Sequence, residues 1–250
     1  MKKEQQEQQE VIVKNVKVAI SADIIEDDDI SDMYVMIAII LKANVNLLHT
    51  VGVSINMLLQ EMGMKVNLNK GKNNDMVKEV LRDMELNNHI YILSGDNQMR
   101  QNDYMMIKLN MESGLFSPKS FFTTIGYNEF KKIVNHKSTV SNGRLVRVYL
   151  VLRKYLNKEN SFVFPSIRTI SNMLGVTHGA NICKSTKVLE EAGVLYTYCA
   201  GSYLTNSGKR KNVNTYYAFE PNQLHGAYEH ALEYIRNSGV DIDKFDPKVK

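Results

Sequence analysis

The sequence predicts a mostly helical α+β fold in which one structural unit occurs twice and a C-terminal helix follows the second copy. Three observations predict this fold. Val53 to Met64 aligns without gaps over Pro165 to Val176 at a constant offset of 112 positions, and such self-similarity indicates a repeated unit. Apolar segments of helical length flank both copies. β-branched or aromatic runs typical of short strands lie outside those segments.

Composition is that of an ordered globular protein. Of the 250 residues, 44% are hydrophobic and 23% are charged, which is ordinary for a folded chain. The longest apolar run, Met33 to Leu41, has nine residues, whereas a membrane-spanning helix needs about 20. Residues 1–10 are polar and lack the apolar stretch of a secretory signal. We therefore expect a cytoplasmic protein with a polar N-terminal tail and no membrane contact.

No motif nominates a catalytic centre, a cofactor or a metal, so we expect a protein that is not an enzyme. Cys183 and Cys199 have no CxxC or Cys/His ligand spacing; we expect two reduced, mostly buried thiols. One acidic group could be imagined as metal ligands, but consecutive side chains do not converge on one ion, and capping of the following helix explains it better. This group comprises Glu26, Asp27, Asp28, Asp29 and Asp32.

Each copy begins with a short strand and a long apolar helix. Val16 to Ile20 and Phe121 to Ile125 have the composition of strands. Met33 to Lys42 and Val146 to Tyr155 are the apolar helical segments. The order strand, helix, helix, helix, strand, turn, strand then occurs twice, which is the order of a winged helix.

The aligned segment itself is predicted to be a short helix with defined ends. Ser54 and Ser166 are N-cap candidates, because a hydroxyl can accept a hydrogen bond from a backbone N–H of the first turn. Gly63 and Gly175 stand where the helix must stop, and a positive φ costs glycine little there. A helix pair joined by a short glycine turn is a helix-turn-helix unit.

The second copy contains a third helix and a basic hairpin. The helix is predicted from about Gly179 to Ala192 with Ile182, Thr186 and Leu189 inward. Its other side is expected to carry Asn181, Lys184, Ser185 and Lys187. Val194 to Cys199 and Val213 to Phe219 alternate as antiparallel strands. The loop between them, Asn206 to Asn212, contains three adjacent cations, Lys209, Arg210 and Lys211, and is predicted to be a basic wing.

The first copy has a longer loop before its third helix. Val80 aligns with Val188 if four extra residues lie in the polar, basic stretch Lys65 to Asn74. A helix is predicted at about Asp75 to Glu85. Its hairpin is expected to consist of Ile90 to Leu93 and Tyr104 to Leu109.

Charge differs between the copies. Residues 1–112 carry 12 Lys+Arg and 17 Asp+Glu, net −5, and residues 113–250 carry 19 and 10, net +9. The second copy is thus the better partner for a polyanion. The predicted organisation is a polar tail (1–10), a first winged-helix domain (11–112), a second (113–221), and a C-terminal helix and tail (222–250). The helix at 222–237 is expected to pack on its own domain or on a second protomer, and the tail after it to be mobile.

The second copy resembles the winged-helix domain of replication initiators from plasmids and phages of Gram-positive bacteria. The resemblance is carried by Phe164-Pro-Ser-Ile-Arg-Thr-Ile-Ser-Asn-Met-Leu-Gly-Val-Thr177 and Val188-Leu-Glu-Glu-Ala-Gly-Val-Leu195. It covers about residues 120–220, and more faintly 16–110. It implies sequence-specific binding to repeated double-stranded DNA sites at an origin, as a homodimer or an array, with recruitment of host replication proteins. Transcription regulators share the same pattern.

Helix-turn-helix units place the third helix in the major groove, while the wing and flanking cations contact phosphates. On this basis the sequence nominates residues of the second copy for DNA contacts: Ser166, Arg168, Thr177, His178, Asn181, Lys184, Ser185, Lys187, Lys209, Arg210 and Lys211. In the first copy it nominates Lys65, Lys70, Lys72 and Lys78.

Two alternatives stay open at this point. The protein could be a phage or plasmid transcription regulator or repressor, which binds DNA by the same chemistry. Alternatively, the acidic first copy could be a protein-interaction module coupled to one DNA-binding domain. For the three wing cations, the plain alternative is a solvated turn.

Overall fold

The computed structural model describes residues 16–66, 71–94, 99–117, 122–156, 161–177 and 179–247. They form the predicted α+β fold, with helix more abundant than strand. The first half contains, in chain order, β1 (Lys17–Ser21), α1 (Ala22–Glu26), α2 (Asp32–Ala43), β2 (Thr50–Val53), α3 (Ile55–Glu61), α4 (Lys72–Leu86), β3 (Ile90–Ser94) and β4 (Met105–Leu109). The second half contains β5 (Phe122–Gly126), α5 (Tyr127–Asn135), α6 (Asn142–Lys154), α7 (Ile167–Met173), α8 (Gly179–Glu191), β6 (Tyr196–Cys199), β7 (Gly201–Leu204), β8 (Arg210–Asn212), β9 (Thr215–Ala218), α9 (Ala227–Asn237) and β10 (Phe245–Pro247).

Each half contains a small antiparallel sheet with the same arrangement. In the first half the strand order is β2-β4-β3. In the second half β9 is central: it pairs with β6, and Val163 forms a bridge to Tyr217 on its other side. The two predicted hairpins are confirmed by these pairings. The outer strand β2 was not predicted, because its four residues include Gly52 and show no strand pattern beyond two valines.

The first strands of the two halves pair with each other. β1 and β5 are antiparallel, with Lys17 opposite Gly126, Ala19 opposite Thr124 and Ser21 opposite Phe122. Each residue of β1 corresponds to the residue 105 positions later in β5, so Ala19 lies opposite its own equivalent. This two-stranded ribbon therefore has local two-fold symmetry and joins the halves. The strands themselves were predicted, but their pairing across the halves was not.

The predicted ends of α3 and α7 are confirmed. Ser54 Oγ accepts a hydrogen bond from Met57 N at 3.2 Å, and Ser166 Oγ accepts one from Thr169 N at 3.0 Å. Gly63 and Gly175 have φ values of +66° and +58°. The same local chemistry therefore begins and ends the short helix in both halves.

The alignment of the third helices needs a correction of one turn. At the ends of α4 and α8, His89 N donates to Met84 O at 2.9 Å and Val194 N to Leu189 O at 3.2 Å. Equivalent residues here are 105 apart, so Val80 does not correspond to Val188. The offset falls from 112 before the loop to 105 after it, so the first half has seven extra residues rather than four. The repeated Val-Leu dipeptide misled the sequence alignment by three positions, which is nearly one helical turn.

The two halves share one hydrophobic core. α2 and α6 are buried along nearly their whole length, because each packs on its own half and against the other helix. The buried cluster runs continuously from Val18 of β1 to Phe219 after β9. No helix among the described residues is long and apolar enough to cross a membrane.

Among the described residues, three ion pairs connect the halves, and each joins an acid of the first half to a base of the second. Glu26 pairs with Lys154. Arg147 Nε lies 3.1 Å from Asp32 Oδ1, and the same guanidinium donates to backbone oxygens of residues 27 and 30. Glu61 Oε2 lies 3.0 Å from Lys131 Nζ. Two members of the acidic group, Glu26 and Asp32, thus hold the second half in place. The capping predicted for the group falls to Ser31 instead, whose hydroxyl accepts a hydrogen bond from Tyr34 N, and only Asp32 lies in the first turn of α2.

The C-terminal segment packs on the second half, which corrects the expectation of a mobile tail. Ala227, Ala231 and Ile235 of α9 join a second buried cluster with the outer side of β9. After α9, β10 pairs with β7, with Phe245 opposite Tyr203. β10 was not predicted from the sequence, because a three-residue strand has no recognisable period. Of the two alternatives for the predicted C-terminal helix, the structure has the first: the helix packs on its own half.

Candidate nucleic-acid interface

α7 and α8 form a helical hairpin whose outer side is polar. Ile167 to Met173 is a short helix fixed at its start by the Ser166 cap. An open groove between the two helices is lined by Arg168, Asn172 and Thr177. Arg168 and Thr177 are exposed, and Ser166 is half-buried because its hydroxyl also contacts Thr169 Oγ1 at 2.7 Å.

The outer face of α8 carries the predicted reading residues. Asn181, Lys184 and Lys187 are exposed, whereas Ile182 and Leu189 are fully buried on the opposite side. α8 has no acidic residue before Glu190. Glu190 Oε1 accepts a hydrogen bond from Thr197 Oγ1 at 3.0 Å, so this carboxylate is held against β6. The first two turns of the exposed face are therefore free of acidic side chains.

Ser185 does not belong to that face, which corrects its predicted position. It is 1% exposed, and its hydroxyl donates to the backbone oxygen of Asn181 at 2.8 Å. Ser185 lies near the edge of the polar stripe in sequence, but its small side chain fits against the neighbouring elements and satisfies its polarity within the helix. His178, also nominated, lies outside the described residues.

The basic wing is a hairpin that extends beyond the central sheet. β7 and β8 pair through Leu204 and Arg210, and Lys209 stands in the turn between them. Lys209, Arg210 and Lys211 are all exposed. Arg210 Nη2 lies 2.8 Å from Asp246 Oδ2 in an ion pair that is about two-thirds exposed on both sides. The sequence analysis did not foresee this pairing, because it follows from β10.

The corresponding surface of the first half has different chemistry. Lys65 and Lys72 are exposed and Lys78 is half-buried, while Lys70 lies outside the described residues. The outward face of α4 carries a stripe of acids at helical spacing. This acidic stripe consists of Asp75, Glu79 and Asp83. By the offset of 105, Glu79 occupies the position that Lys184 holds in α8.

Sequence reasoning missed one cation of this surface. Arg144, in the first turn of α6, lines a cavity of about 220 Å³ together with Asn181 and Lys184. Its Nη1 donates to Leu174 O at 3.3 Å, which places a further cation beside α8. Cys183 is exposed on α8, and Cys199 is exposed on β6, so the expectation of mostly buried thiols is wrong. Arg144 was missed because the apolar helical pattern around it concealed this cation.

The titratable groups with the strongest pKa shifts owe them mainly to burial. Burial raises the pKa of Tyr217, and burial lowers the pKa of Arg147 while Asp32 opposes that shift. His89 accepts or donates a hydrogen bond with the Tyr34 hydroxyl, and burial lowers the pKa of His89. Within the described ranges, no cluster of three or more His, Cys, Asp or Glu residues could hold a metal ion.

Comparison with known proteins adds no family. A search against protein-family models and a search of curated proteins both gave no match. Function is therefore inferred from the residues and their geometry.

Proposed function

We propose that this protein binds double-stranded DNA sequence-specifically through two tandem winged helix-turn-helix units. The proposal draws support from the element order, from the strand arrangement repeated around β4 and β9, and from the shared caps of α3 and α7. In such units the third helix enters the major groove and the hairpin contacts the backbone. Here these roles fall to α8 and the basic wing.

The observation that carries the proposal is the outer face of α8. An exposed Asn181 can make two hydrogen bonds to adenine, and exposed lysines suit guanine. Lys184 and Lys187 form no ion pair with any residue that the structure describes. A groove-facing helix needs donors that are not already committed within the protein, and this face supplies them.

Cations around α8 are suited to positioning the protein on the phosphates. Arg168 stands exposed at the start of α7, and Arg144 lies beside Asn181. Lys209 and Lys211 extend on the wing. Phosphate contacts of this kind fix orientation, while base contacts give specificity.

For the biological role, we propose initiation of replication at the origin of a plasmid or phage, on the basis of the resemblance of residues 120–220 to initiators. A transcription regulator is the alternative role. Footprinting distinguishes the two: tandem direct repeats beside an AT-rich segment favour initiation, whereas a palindrome over a promoter counts against it.

The direct test is selection on random duplex DNA with the full chain. We expect one enriched motif, and we expect Lys184→Ala with Lys187→Ala to weaken binding to it. Lys132→Ala with Lys137→Ala is the matched control, because both lysines are exposed but lie outside α8 and the wing. No enrichment over random sequence, or equal weakening by the control, would remove α8 from the proposal.

A second candidate role for the first half is supported by the acidic stripe on α4. Three carboxylates on an outward helix face are repelled by DNA phosphates. The first half would then serve protein interaction while the second half reads DNA. Because the halves share a core, surface substitutions test this better than deletion of residues 1–112. If Lys65→Ala with Lys72→Ala leaves affinity and footprint length unchanged, the first half does not contact DNA.

A further inference from the structure

The small sheets of the two halves, β2-β4-β3 and β6-β9, each have an outer face that points away from the main core, and these two faces are covered differently. In the second half, Tyr216 and Ala218 point away from the main core and are 1% and 0% exposed. They are covered by α9, whose Ala227, Ala231 and Ile235 belong to the same buried cluster. An amphipathic helix with small and aliphatic residues at four-residue spacing therefore closes this face.

The equivalent face of the first half is open. Strand pairing aligns Ile92 opposite Ile107 in the first half and Thr197 opposite Tyr217 in the second. By this alignment Met106 corresponds to Tyr216, and Lys108 to Ala218. The same face then carries Tyr91, which lies opposite Lys108 and corresponds to Tyr196 of the covered face; Ser94 lies opposite Met106, and Leu93 is the extra residue of a β-bulge between Ile92 and Ser94. We call the open residues the first-sheet face: Tyr91, Leu93, Met106 and Lys108.

The first-sheet face is largely apolar, like the covered face of the second half, but its side chains are exposed. Tyr91, Leu93 and Met106 are 42%, 55% and 41% exposed. Tyr104, just before β4 begins at Met105, is 73% exposed. Clustered exposed apolar side chains on a monomer mark interaction surfaces more often than isolated ones do. Their exposure shows that, among the described residues, nothing covers these side chains as α9 covers Tyr216 and Ala218.

We propose that the first-sheet face binds an amphipathic helix of a partner protein. The kind of partner is inferred from the second half, where the equivalent face is covered by α9. The partner helix should therefore have residues like Ala227, Ala231 and Ile235 along the side that contacts the sheet. Lys108 replaces Ala218 in the middle of the face and forms no ion pair with a described residue. The partner helix therefore carries an acidic residue that meets Lys108, because a cation buried without a counter-charge is costly.

This inference is independent of DNA binding, since the first-sheet face lies on a different element from α8 and the basic wing. The inference also does not depend on the acidic stripe of α4. If no partner helix binds the first-sheet face, the proposed DNA binding is unaffected, and if DNA binding fails, the first-sheet face can still bind a helix.

The test uses the full chain and a fluorescent peptide with the α9 sequence, residues 221–240, followed by fluorescence anisotropy. Lys108→Ala makes the first-sheet face more like the covered one, so we expect the peptide to bind this variant at least about threefold more tightly than the unsubstituted chain. Adding Met106→Glu to Lys108→Ala should weaken binding at least about tenfold, because it buries an unpaired carboxylate. Lys132→Ala is the matched control, because Lys132 is exposed on α5 and outside the first-sheet face, and it should change nothing.

Two readouts guard the interpretation. Circular dichroism and DNA affinity of each variant should match those of the original chain, because all substituted side chains are exposed. Peptide binding that persists after Met106→Glu would mean exchange with α9 of the second half and would overturn the proposal. Absence of binding to Lys108→Ala would overturn it as well. A dimer in sedimentation velocity that Met106→Glu dissociates would assign the face to a second copy instead.

Discussion

Replacing the wing cations should change how DNA affinity depends on salt. Each phosphate neutralised by a cation contributes about 0.9 to the slope of log affinity against log salt concentration on duplex DNA. Lys209 and Lys211 are exposed and make no ion pair with a described residue. Lys209→Ala with Lys211→Ala should therefore reduce the magnitude of the slope by about 1.8, if each binds one phosphate.

The expected change in slope also depends on whether Arg210 binds a phosphate or stays paired with Asp246 in the DNA complex. Its ion pair with Asp246 is exposed, and such pairs contribute only about 0 to 1 kcal/mol, so a phosphate can displace the carboxylate. The triple variant that adds Arg210→Ala should then reduce the slope by about 2.7. If Arg210 stays with Asp246 in the complex, the triple and double variants should agree. Asp246→Asn should in that case make the slope steeper by about 0.9.

The assay is equilibrium anisotropy of a labelled duplex carrying the selected site, between about 50 and 300 mM KCl. Lys132→Ala with Lys137→Ala, both exposed and outside α8 and the wing, serves as a control with the same change of net charge as the double variant. Should the triple variant keep the slope of the unsubstituted protein, the wing does not bind phosphates. A change equal to that of the control would mean that only net charge matters.

Four further predictions concern base reading, folding and access to the site. Asn181→Ala should cost about 1 to 3 kcal/mol and relax preference at one base pair in a binding selection; uniform weakening across sequences would make Asn181 a backbone contact. Gly63→Ala should destabilise more than Gly193→Ala in urea denaturation. Both glycines have positive φ, but a Cβ at the first would lie 2.0 Å from a backbone oxygen of α5, and at the second it would meet nothing within 4 Å. The second should cost only the backbone strain of about 1 to 2 kcal/mol; equal losses would mean that the contact relaxes. Arg147→Met should cost about 3 kcal/mol in the same measurement, because it leaves acids and carbonyl oxygens of the first half without their buried partner; a neutral result would show that this contact does not hold the halves together. DNA should slow the reaction of the Cys183 thiol with maleimide in a chain that lacks the other cysteine; equal rates with and without DNA would exclude α8 from the interface.

Local chemistry made much of the fold predictable. Serine caps and glycine stops depend on neighbours within a few residues, so Ser166 and Gly175 could be placed from sequence alone. The hairpins were predictable because alternating side chains reflect one buried face. These features involve short-range contacts that the sequence displays directly.

Features that depend on distant contacts were not predictable. The pairing of β1 with β5 joins residues about a hundred positions apart, and neither strand encodes its partner. Arg147 lies within an apolar pattern, and only the folded structure brings it to Asp32. Ser185 illustrates the limit for the site, because a helical period assigns a face but cannot say how far the neighbouring elements cover it.

The charge difference between the halves has two physical consequences: it favours binding of a polyanion by the second half, and it allows ion pairs between the halves. Only the first was predicted from the sequence. Part of the positive charge of the second half is used internally, since Lys131, Arg147 and Lys154 all pair with acids of the first half. The exposed cations that make no ion pair with a described residue include Lys184 and Lys187 on α8 and Lys209 and Lys211 on the wing. At the position of Lys184 the other half has Glu79, and at the position of Lys187 it has the exposed Arg82. The outward face of α4 therefore mixes acids with a cation, whereas α8 has no acid before Glu190. Symmetric docking of both third helices on DNA would bring the carboxylates of α4 against the phosphates, which repel them.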